Sequence, residues 1–130
     1  MFVGLNPSTA NQMEDDPTIE SVKRISRFNG FGGFYMMNCF PFITTDPDYL
    51  KMGFSKYHED QNMVYLIQTG QLVKDIVFAW GNFKEPKAYG MDRALEELFP
   101  NAKCITKNKN GSPAHPLFKK GNTALIDWSY

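Results

Sequence analysis

Four short apolar runs predict the buried strands of a sheet. They cover residues 1–5, 33–39, 75–80 and 102–106, and glycine, proline or polar residues follow them. Apolar runs of this length are typical of parallel strands that are covered on both faces. The first run begins at residue 1, so we expect its strand either to lie at the edge of the sheet or to follow residues that this chain lacks.

Helical patterns separate these runs. Asp16 and Pro17 predict the start of a first helix, because aspartate caps a helix and proline fits its first residue, and Asn29-Gly30 predicts its end. A second helix is predicted over residues 59–68. A third is predicted by apolar residues at positions i, i+3, i+4 and i+7, which are Met91, Ala94, Leu95 and Leu98.

The alternation of strands and helices predicts the fold class. It favours a three-layer α/β/α fold with a short, mostly parallel, four-stranded sheet. The length of 130 residues fits a single domain over residues 1–130. The tail, residues 123–130, fits either a final helical turn or another strand.

The composition excludes several classes of protein. Cys39 and Cys104 form no C-x-x-C pair and no signal peptide is present, which favours reduced thiols in a cytoplasmic protein. No apolar stretch approaches the ~20 residues of a membrane span, so we expect no membrane association. The histidines and cysteines are not spaced as metal ligands and no phosphate-binding loop motif is present, so we expect neither a metal nor a cofactor.

Charge is balanced overall but unevenly distributed. Fourteen basic and fourteen acidic residues cancel, so the net charge predicts no partner. No acidic residue lies between Leu98 and Ile126, and this segment is either a solvated basic face or an edge that faces phosphates. Its lysines are Lys103, Lys107, Lys109, Lys119 and Lys120.

Polar residues follow three of the predicted strands. Asn6 comes directly after the first, Asn38 ends the second, and His115 lies in the segment after the fourth. Ligands bind beyond the carboxyl ends of parallel strands, so we expect these residues to converge at one edge of the sheet. Each residue also has a plainer explanation: Asn6 as a turn former, Asn38 as support for a neighbouring loop, and His115 as a surface residue.

Four motifs, in this order, resemble the uracil-DNA glycosylase superfamily. VGLNPS is similar to its first motif, FYMMNCF to its second strand, IVFAWGNF to its third strand, and GSPAHPLF to its His-Pro loop. The combination of LNPSTA, DDPT, TDP and GSPAHPL more closely resembles a family of short proteins of unknown function, a divergent branch of the same fold. The resemblance implies a uracil-DNA glycosylase-like fold, which does not by itself fix the function.

The resemblance implies catalytic roles for Asn6 and His115. Asn6 would take the place of the water-positioning group, where an amide can orient a water but cannot accept its proton. His115, in its neutral form, would donate a hydrogen bond to an oxygen of the base and stabilise negative charge as the glycosidic bond lengthens. Catalysis is therefore expected to be weak.

The resemblance also implies a base pocket and a DNA-binding surface. Asn38 would hydrogen-bond the Watson–Crick edge of a flipped base. No aromatic residue lies between Phe2 and Phe28, where the superfamily carries its stacking ring, so Phe40 or Phe42 would substitute. The other implied contacts are Pro7, Ser8 and Thr9 at the base, Leu117 or Phe118 as a wedge in the base stack, and Lys107, Lys109, Lys119 and Lys120 at phosphates.

These features favour a divergent uracil-DNA glycosylase-like protein that recognises a nucleobase in DNA or in a nucleotide, with weak hydrolysis of the N-glycosidic bond. The alternative is a non-catalytic nucleic-acid or nucleotide-binding protein on the same fold, which the lysines and the missing stacking ring favour. A third interpretation, a protein-interaction domain with no nucleotide role, is favoured by zero net charge and abundant aromatic residues. The sequence leaves enzymatic activity open, with a glycosylase-like hydrolase as the favoured class.

Overall fold

Five strands form one sheet. The computed structural model describes residues 1–5, 16–40, 56–82, 86, 90–117 and 119–128, with the backbone alone for residues 56–58. Within them the strands are β1 (Phe2–Gly4), β2 (Met36–Asn38), β3 (Val77–Phe78), β4 (Lys103–Cys104) and β5 (Ile126–Asp127). Their order is β2-β1-β3-β4-β5; the first four are parallel, and β5 runs antiparallel to β4.

In the described part of the chain, three helices connect and cover the strands: α1 (Pro17–Phe28), α2 (Lys56–Gln71) and α3 (Met91–Leu98). The predicted start of α1 is confirmed, because Oδ1 of Asp16 accepts a hydrogen bond from the backbone N–H of Thr18 at 2.8 Å. This bond satisfies one of the N–H groups that the first turn of a helix leaves without a partner.

Asn29 ends α1 and also fixes the helix to a distant segment. Its side-chain nitrogen donates to the carbonyl oxygens of Ile25 (2.8 Å) and Thr123 (3.0 Å). Its side-chain oxygen accepts from the backbone N–H of Leu125 at 3.0 Å. The end of α1 therefore holds the chain just before β5.

Each face of the sheet carries its own apolar cluster. On the α1 face, Val22 and Ile25 pack with Phe2, and all three are fully buried. The opposite face, called the α2/α3 face below, is covered by α2 and α3. Its cluster includes Val3, Leu66, Phe78 and Leu95. The α/β class and the mostly parallel sheet are therefore confirmed, with helices on both faces.

Two predictions about the sheet differ from the structure. The sheet has five strands where four were predicted, because the tail pairs with β4 instead of forming a helical turn. β1 lies between β2 and β3, which excludes one of the two alternatives given for this strand, a place at the edge of the sheet. None of the described helices is both long and apolar enough to cross a membrane.

Candidate functional site

The carboxyl ends of β1 to β4 lie at one edge of the sheet, called the carboxyl edge below. Parallel strands place their last residues side by side, so the segments that leave them become neighbours. Backbone hydrogen bonds hold two of these exits together: Cys39 N–H donates to the carbonyl of Gly4, and Phe40 N–H donates to that of Leu5, at 2.8 and 2.9 Å.

Asn38 is the last residue of β2 and lies half-buried at this edge. Side chains alternate along a strand, so Asn38 shares a face with Met36, which packs in the α1-face cluster. The side-chain oxygen of Asn38 would lie 3.0 Å from a Cβ added to Gly4. Gly4 thus leaves the space that the amide of Asn38 occupies over β1.

Asn62 of α2 holds the backbone at the end of β2, and it does so from the α2/α3 face of the sheet. Its side-chain nitrogen donates to the carbonyl oxygens of Asn38 (2.9 Å) and Cys39 (3.1 Å). Both hydrogens of one amide are therefore used on two consecutive backbone groups. This contact sets the direction in which the chain leaves β2.

A hydrogen-bonded turn brings His115 to the same edge. Lys107 and Pro113 form an isolated antiparallel bridge, and the turn between them is closed by the N–H of Asn108, which donates to the carbonyl of Ser112 at 2.8 Å. The carbonyl of Pro113 accepts from the N–H of Gly81, just after β3, at 2.9 Å. A side-chain bond of 3.0 Å between Ser112 and Asn82 adds to this link.

His115 is held in one tautomer. Its Nδ1 accepts a hydrogen bond from the backbone N–H of Leu117 at 3.0 Å, so the neutral ring carries its proton on Nε2. Burial lowers the pKa of His115 from its usual value, and the negative charge of Asp16 opposes this shift. The ring is therefore favoured in its neutral form, with its proton on Nε2.

Several predicted site residues lie outside the described part of the chain. They are Asn6, Pro7, Ser8, Thr9, Phe42 and Phe118. Among the described ones, Asn38 and the turn that carries His115 lie at the carboxyl edge. Leu117 lies two residues after His115 and is half-buried.

One predicted role does not fit the geometry. Phe40 is fully buried in the cluster of the α2/α3 face, so its ring has no exposed face on which a base could stack. The Nζ of Lys107 lies 5.3 Å from the centre of the Trp128 ring, so it makes a cation–π contact. Lys109 and Lys120 are exposed and Lys119 is half-exposed, as the predicted phosphate contacts require.

A cleft of about 480 Å³ lies at the opposite, amino edge of the sheet. Phe31, Phe34 and Lys74 are among its lining residues. Asn29 also lines it, but the side chain of Asn29 already bonds three backbone groups. The polar residues of the carboxyl edge take no part in this cleft.

The described thiols and acids offer neither an activated nucleophile nor a group of metal ligands. Cys39 and Cys104 are free, and burial raises the pKa of both, so their unreactive thiol forms are favoured. The negative charge of Asp92 raises the pKa of Cys39 further. Within the described residues, no three or more His, Cys, Asp or Glu side chains are grouped as metal ligands.

A protein-family model matches most of the chain. The model of a family described as a protein of unknown function, DUF1643, matches residues 1–117. The chain belongs to the DUF1643 family. Comparison of this DUF1643 protein with the curated proteins and with the solved structures gives no match. The family match includes Asn38 and His115, whereas Lys119, Lys120 and β5 lie beyond it.

Sequence reasoning missed three residues that shape this edge of the DUF1643 protein. Asn62 could have been noticed as an amide inside a helix, where asparagine is a weak helix former. Gly4 could have been noticed as a glycine within a strand, which often marks the close approach of another group. Asp16 was explained as a helix cap, and nothing in the sequence indicated that its charge also acts on His115.

Proposed function

We propose that this DUF1643 protein is a divergent uracil-DNA glycosylase-like protein of the cytoplasm. It recognises a nucleobase in DNA or in a nucleotide and hydrolyses the N-glycosidic bond slowly. Within this proposal, the α/β domain with helices on both faces is a variant of the uracil-DNA glycosylase fold. The proposal is supported by the resemblance of four ordered motifs and by the polar residues at the carboxyl edge.

The placement of Asn38 and His115 carries the proposal. Asn38 ends β2, and the turn that holds His115 is bonded to the exit of β3. In the order β2-β1-β3, these exits are two strand spacings apart, which is about 10 Å. This spacing joins the two backbone exits, and it is in the range that one ring with a hydrogen bond of about 3 Å on each side can bridge.

The two side chains offer complementary chemistry to such a ring. The amide of Asn38 can donate and accept at once, as reading the edge of a base requires. The Nε2–H of His115 can only donate in the neutral tautomer, so it suits a base oxygen that becomes negative as the glycosidic bond breaks. Because His115 is neutral, it stabilises this charge less than a cation would, which fits slow catalysis.

Base excision can be tested with stoichiometric protein and synthetic DNA. Oligonucleotides that carry uracil, mispaired thymine or an oxidised pyrimidine are incubated with the protein and then cleaved with alkali. We expect at least one of them to yield a slowly formed abasic product. His115→Leu, which removes the donor, should slow its formation by about 100-fold, the usual effect of losing one transition-state donor.

A control variant and a clear negative result accompany this assay. Lys74 is exposed at the amino edge, so Lys74→Gln changes the charge of the protein without touching the carboxyl edge and should leave the rate unchanged. Absence of abasic product from every substrate would contradict the enzymatic proposal.

The exposed lysines support a second candidate, a binder of nucleic acid or nucleotides without catalysis. Lys109 and Lys120 are exposed in a segment that has no acidic residue. Phe40 is buried, so it does not supply the stacking ring that base excision would use. DNA retention that weakens with salt, with no abasic product, would favour this candidate.

A further inference from the structure

We infer that the outer face of α1 and the segment beside it form one basic surface that binds the phosphate backbone of DNA. This surface, called the α1 surface below, consists of Arg24 and Arg27 of the helix and Lys119 and Lys120 of the segment. The inference rests on the DNA-binding part of the proposed function, which both candidates share. It extends the contact with DNA to two arginines that no motif in the sequence indicated.

The segment that follows the His115 turn lies directly on α1. A Cβ added to Gly121 would lie 2.8 Å from Cβ and 3.3 Å from Cδ of Arg24, so the backbone of Gly121 touches the stem of this side chain. Lys120 comes one residue earlier, which is about 3.8 Å along the chain, so its backbone lies beside Arg24 as well. The hydroxyl of Thr123 donates to the carbonyl of Lys120 at 2.6 Å and closes the turn that carries this lysine.

The segment then follows α1 to its end. The side chain of Asn29, which ends the helix, bonds the carbonyl of Thr123 at 3.0 Å and the N–H of Leu125 at 3.0 Å. Arg27 lies between the two regions of contact, and it is a neighbour of Arg24 on the helix because residues three apart share a face. Packing and hydrogen bonds therefore hold the lysine-bearing segment next to both arginines.

The α1 surface concentrates positive charge on a protein that is neutral as a whole. Residues 16–28 and 119–126 together contain five basic and two acidic side chains. One of the acids, Glu20, is paired with Lys23 at 3.1 Å. Both arginines of α1 are exposed, and within the described residues neither makes an ion pair. Like charges held together repel each other, so an anionic partner stabilises this arrangement.

The position of the surface favours DNA as the partner. Guanidinium groups suit phosphate, because their N–H donors match its oxygens in pairs. Asn29 lines the cleft at the amino edge, so α1 starts on the side of the carboxyl edge. Arg24 donates from Nη2 to Oγ of Ser21 at 3.4 Å, so its guanidinium points toward the start of the helix. Phosphates that flank a base held at the carboxyl edge would therefore meet Arg24 before Arg27.

Charge-removing variants test the surface through the salt dependence of binding. Fluorescence anisotropy with a labelled duplex gives the slope of log affinity against log salt concentration. Arg24→Gln and Arg27→Gln should each lower this slope by about 0.9, the contribution of one phosphate contact. Arg24→Lys keeps the charge and should retain most of the slope. Arg93→Gln is the matched control, because Arg93 is an exposed arginine on α3, on the opposite face of the sheet, and the slope should not change.

Gly121→Ala tests the same surface without changing any charge. Gly121 is not among the described glycines with positive φ, so alanine fits its backbone, but the new Cβ forces the segment away from Arg24. We expect weaker binding of the duplex, and a smaller further loss in an Arg24→Gln background, where no guanidinium is left to displace. Gly33→Ala meets no atom within 4 Å and should bind normally. If Gly121→Ala does not fold, the variants of the exposed arginines decide the question.

The outcomes separate this inference from the proposed function. If the unchanged protein binds DNA and both arginine variants keep its slope, the inference is wrong and the proposed function stands. An equal loss in Arg93→Gln would show a response to net charge alone and would also overturn the inference. If the arginine variants lower the slope but no substrate yields an abasic product, the inference stands and the enzymatic proposal fails. If the unchanged protein retains no DNA at low salt, the inference is wrong, whereas hydrolysis of a free nucleotide would still support the proposed function.

Discussion

At the scale of single residues, Gly4 decides where the side chain of Asn38 can lie. A Cβ at Gly4 would lie 2.9 Å from Met36 Cε and 3.0 Å from Asn38 Oδ1. The methionine tip is flexible and can move, so the main displacement should fall on Asn38. We expect Gly4→Ala to destabilise the fold by about 1–3 kcal/mol, as overpacking does, and to weaken binding of nucleobase-containing ligands.

Urea unfolding and ligand titration measure these two effects. Gly33→Ala is the control, because a Cβ at Gly33 meets no atom within 4 Å and the variant should unfold almost as the unchanged protein does. Equal effects of the two alanines on stability would show that the contact with Asn38 is unimportant.

His115 links stability to pH with a defined sign. Burial places its folded-state pKa below the unfolded value, which is about 6.5, so the unfolded chain binds a proton first as the pH falls. The contribution of His115 to stability is therefore fully present above about pH 6.5 and is lost as the pH falls from there toward the folded pKa.

The variant His115→Gln isolates this contribution. From about pH 7.5 to 5.5, the unchanged protein should lose more unfolding free energy than the variant does. Equilibrium unfolding at several pH values measures the difference. The comparison cancels the titration of His58 and of the acids, which both proteins share. Parallel stability curves would contradict the lowered pKa.

At the scale of secondary-structure elements, Gly70 sets how closely α2 approaches the end of α3. A Cβ at Gly70 would lie 2.6 Å from Cε1 of the Phe99 ring, closer than real contacts allow. Alanine should gain about 1 kcal/mol in helix propensity but lose about 1–3 kcal/mol by overpacking. We expect Gly70→Ala to destabilise the protein on balance, as measured by urea unfolding.

A double-mutant cycle separates the gain in helix propensity from the cost of overpacking against Phe99. In a Phe99→Leu background the ring is absent, so Gly70→Ala should become neutral or stabilising by up to about 1 kcal/mol. If the alanine destabilises both backgrounds equally, the cost does not come from the contact with Phe99.

Local chemistry explains which element boundaries could be predicted. Asp16 and Asn29 specify both ends of α1, and these predictions are confirmed. By contrast, α2 extends beyond the predicted range at both ends, because its apolar residues form no single stripe: Val64 and Tyr65 remain 49% and 55% exposed. The sequence left the tail open between a helical turn and a strand. Ile126 is 45% exposed, so it gives no buried strand pattern, and β5 forms by pairing with β4, which is distant in the sequence.

At the scale of the whole molecule, the part of the site that could be predicted from the sequence is the part that the parallel order of the strands fixes. Parallel strands place their exits at one edge, so the position of Asn38 followed from the strand pattern alone. The path of residues 121–125 along α1, where Gly121 packs against Arg24, could not be predicted from the sequence. That path is fixed by long-range contacts such as the bonds of Asn29, which leave no local pattern.

The uneven charge of the molecule predicts how any binding to DNA depends on salt. A lysine that contacts phosphate contributes about 0.9 to the slope of log affinity against log salt concentration. Lys109→Gln, Lys119→Gln and Lys120→Gln should each reduce this slope by about that amount, because these side chains are exposed or half-exposed in a segment without acids. Lys107→Gln should reduce it less, because the ammonium group lies over the Trp128 ring.

Fluorescence anisotropy with a labelled duplex at several salt concentrations measures these slopes. Lys74→Gln removes one positive charge at the opposite edge of the sheet, so it controls for the change in net charge and should leave the slope unchanged. If all five variants lower the slope equally, DNA responds only to the net charge and the acid-free segment has no special role. If Lys74→Gln alone has no effect, the phosphates contact the acid-free segment, on the side of the molecule that carries His115.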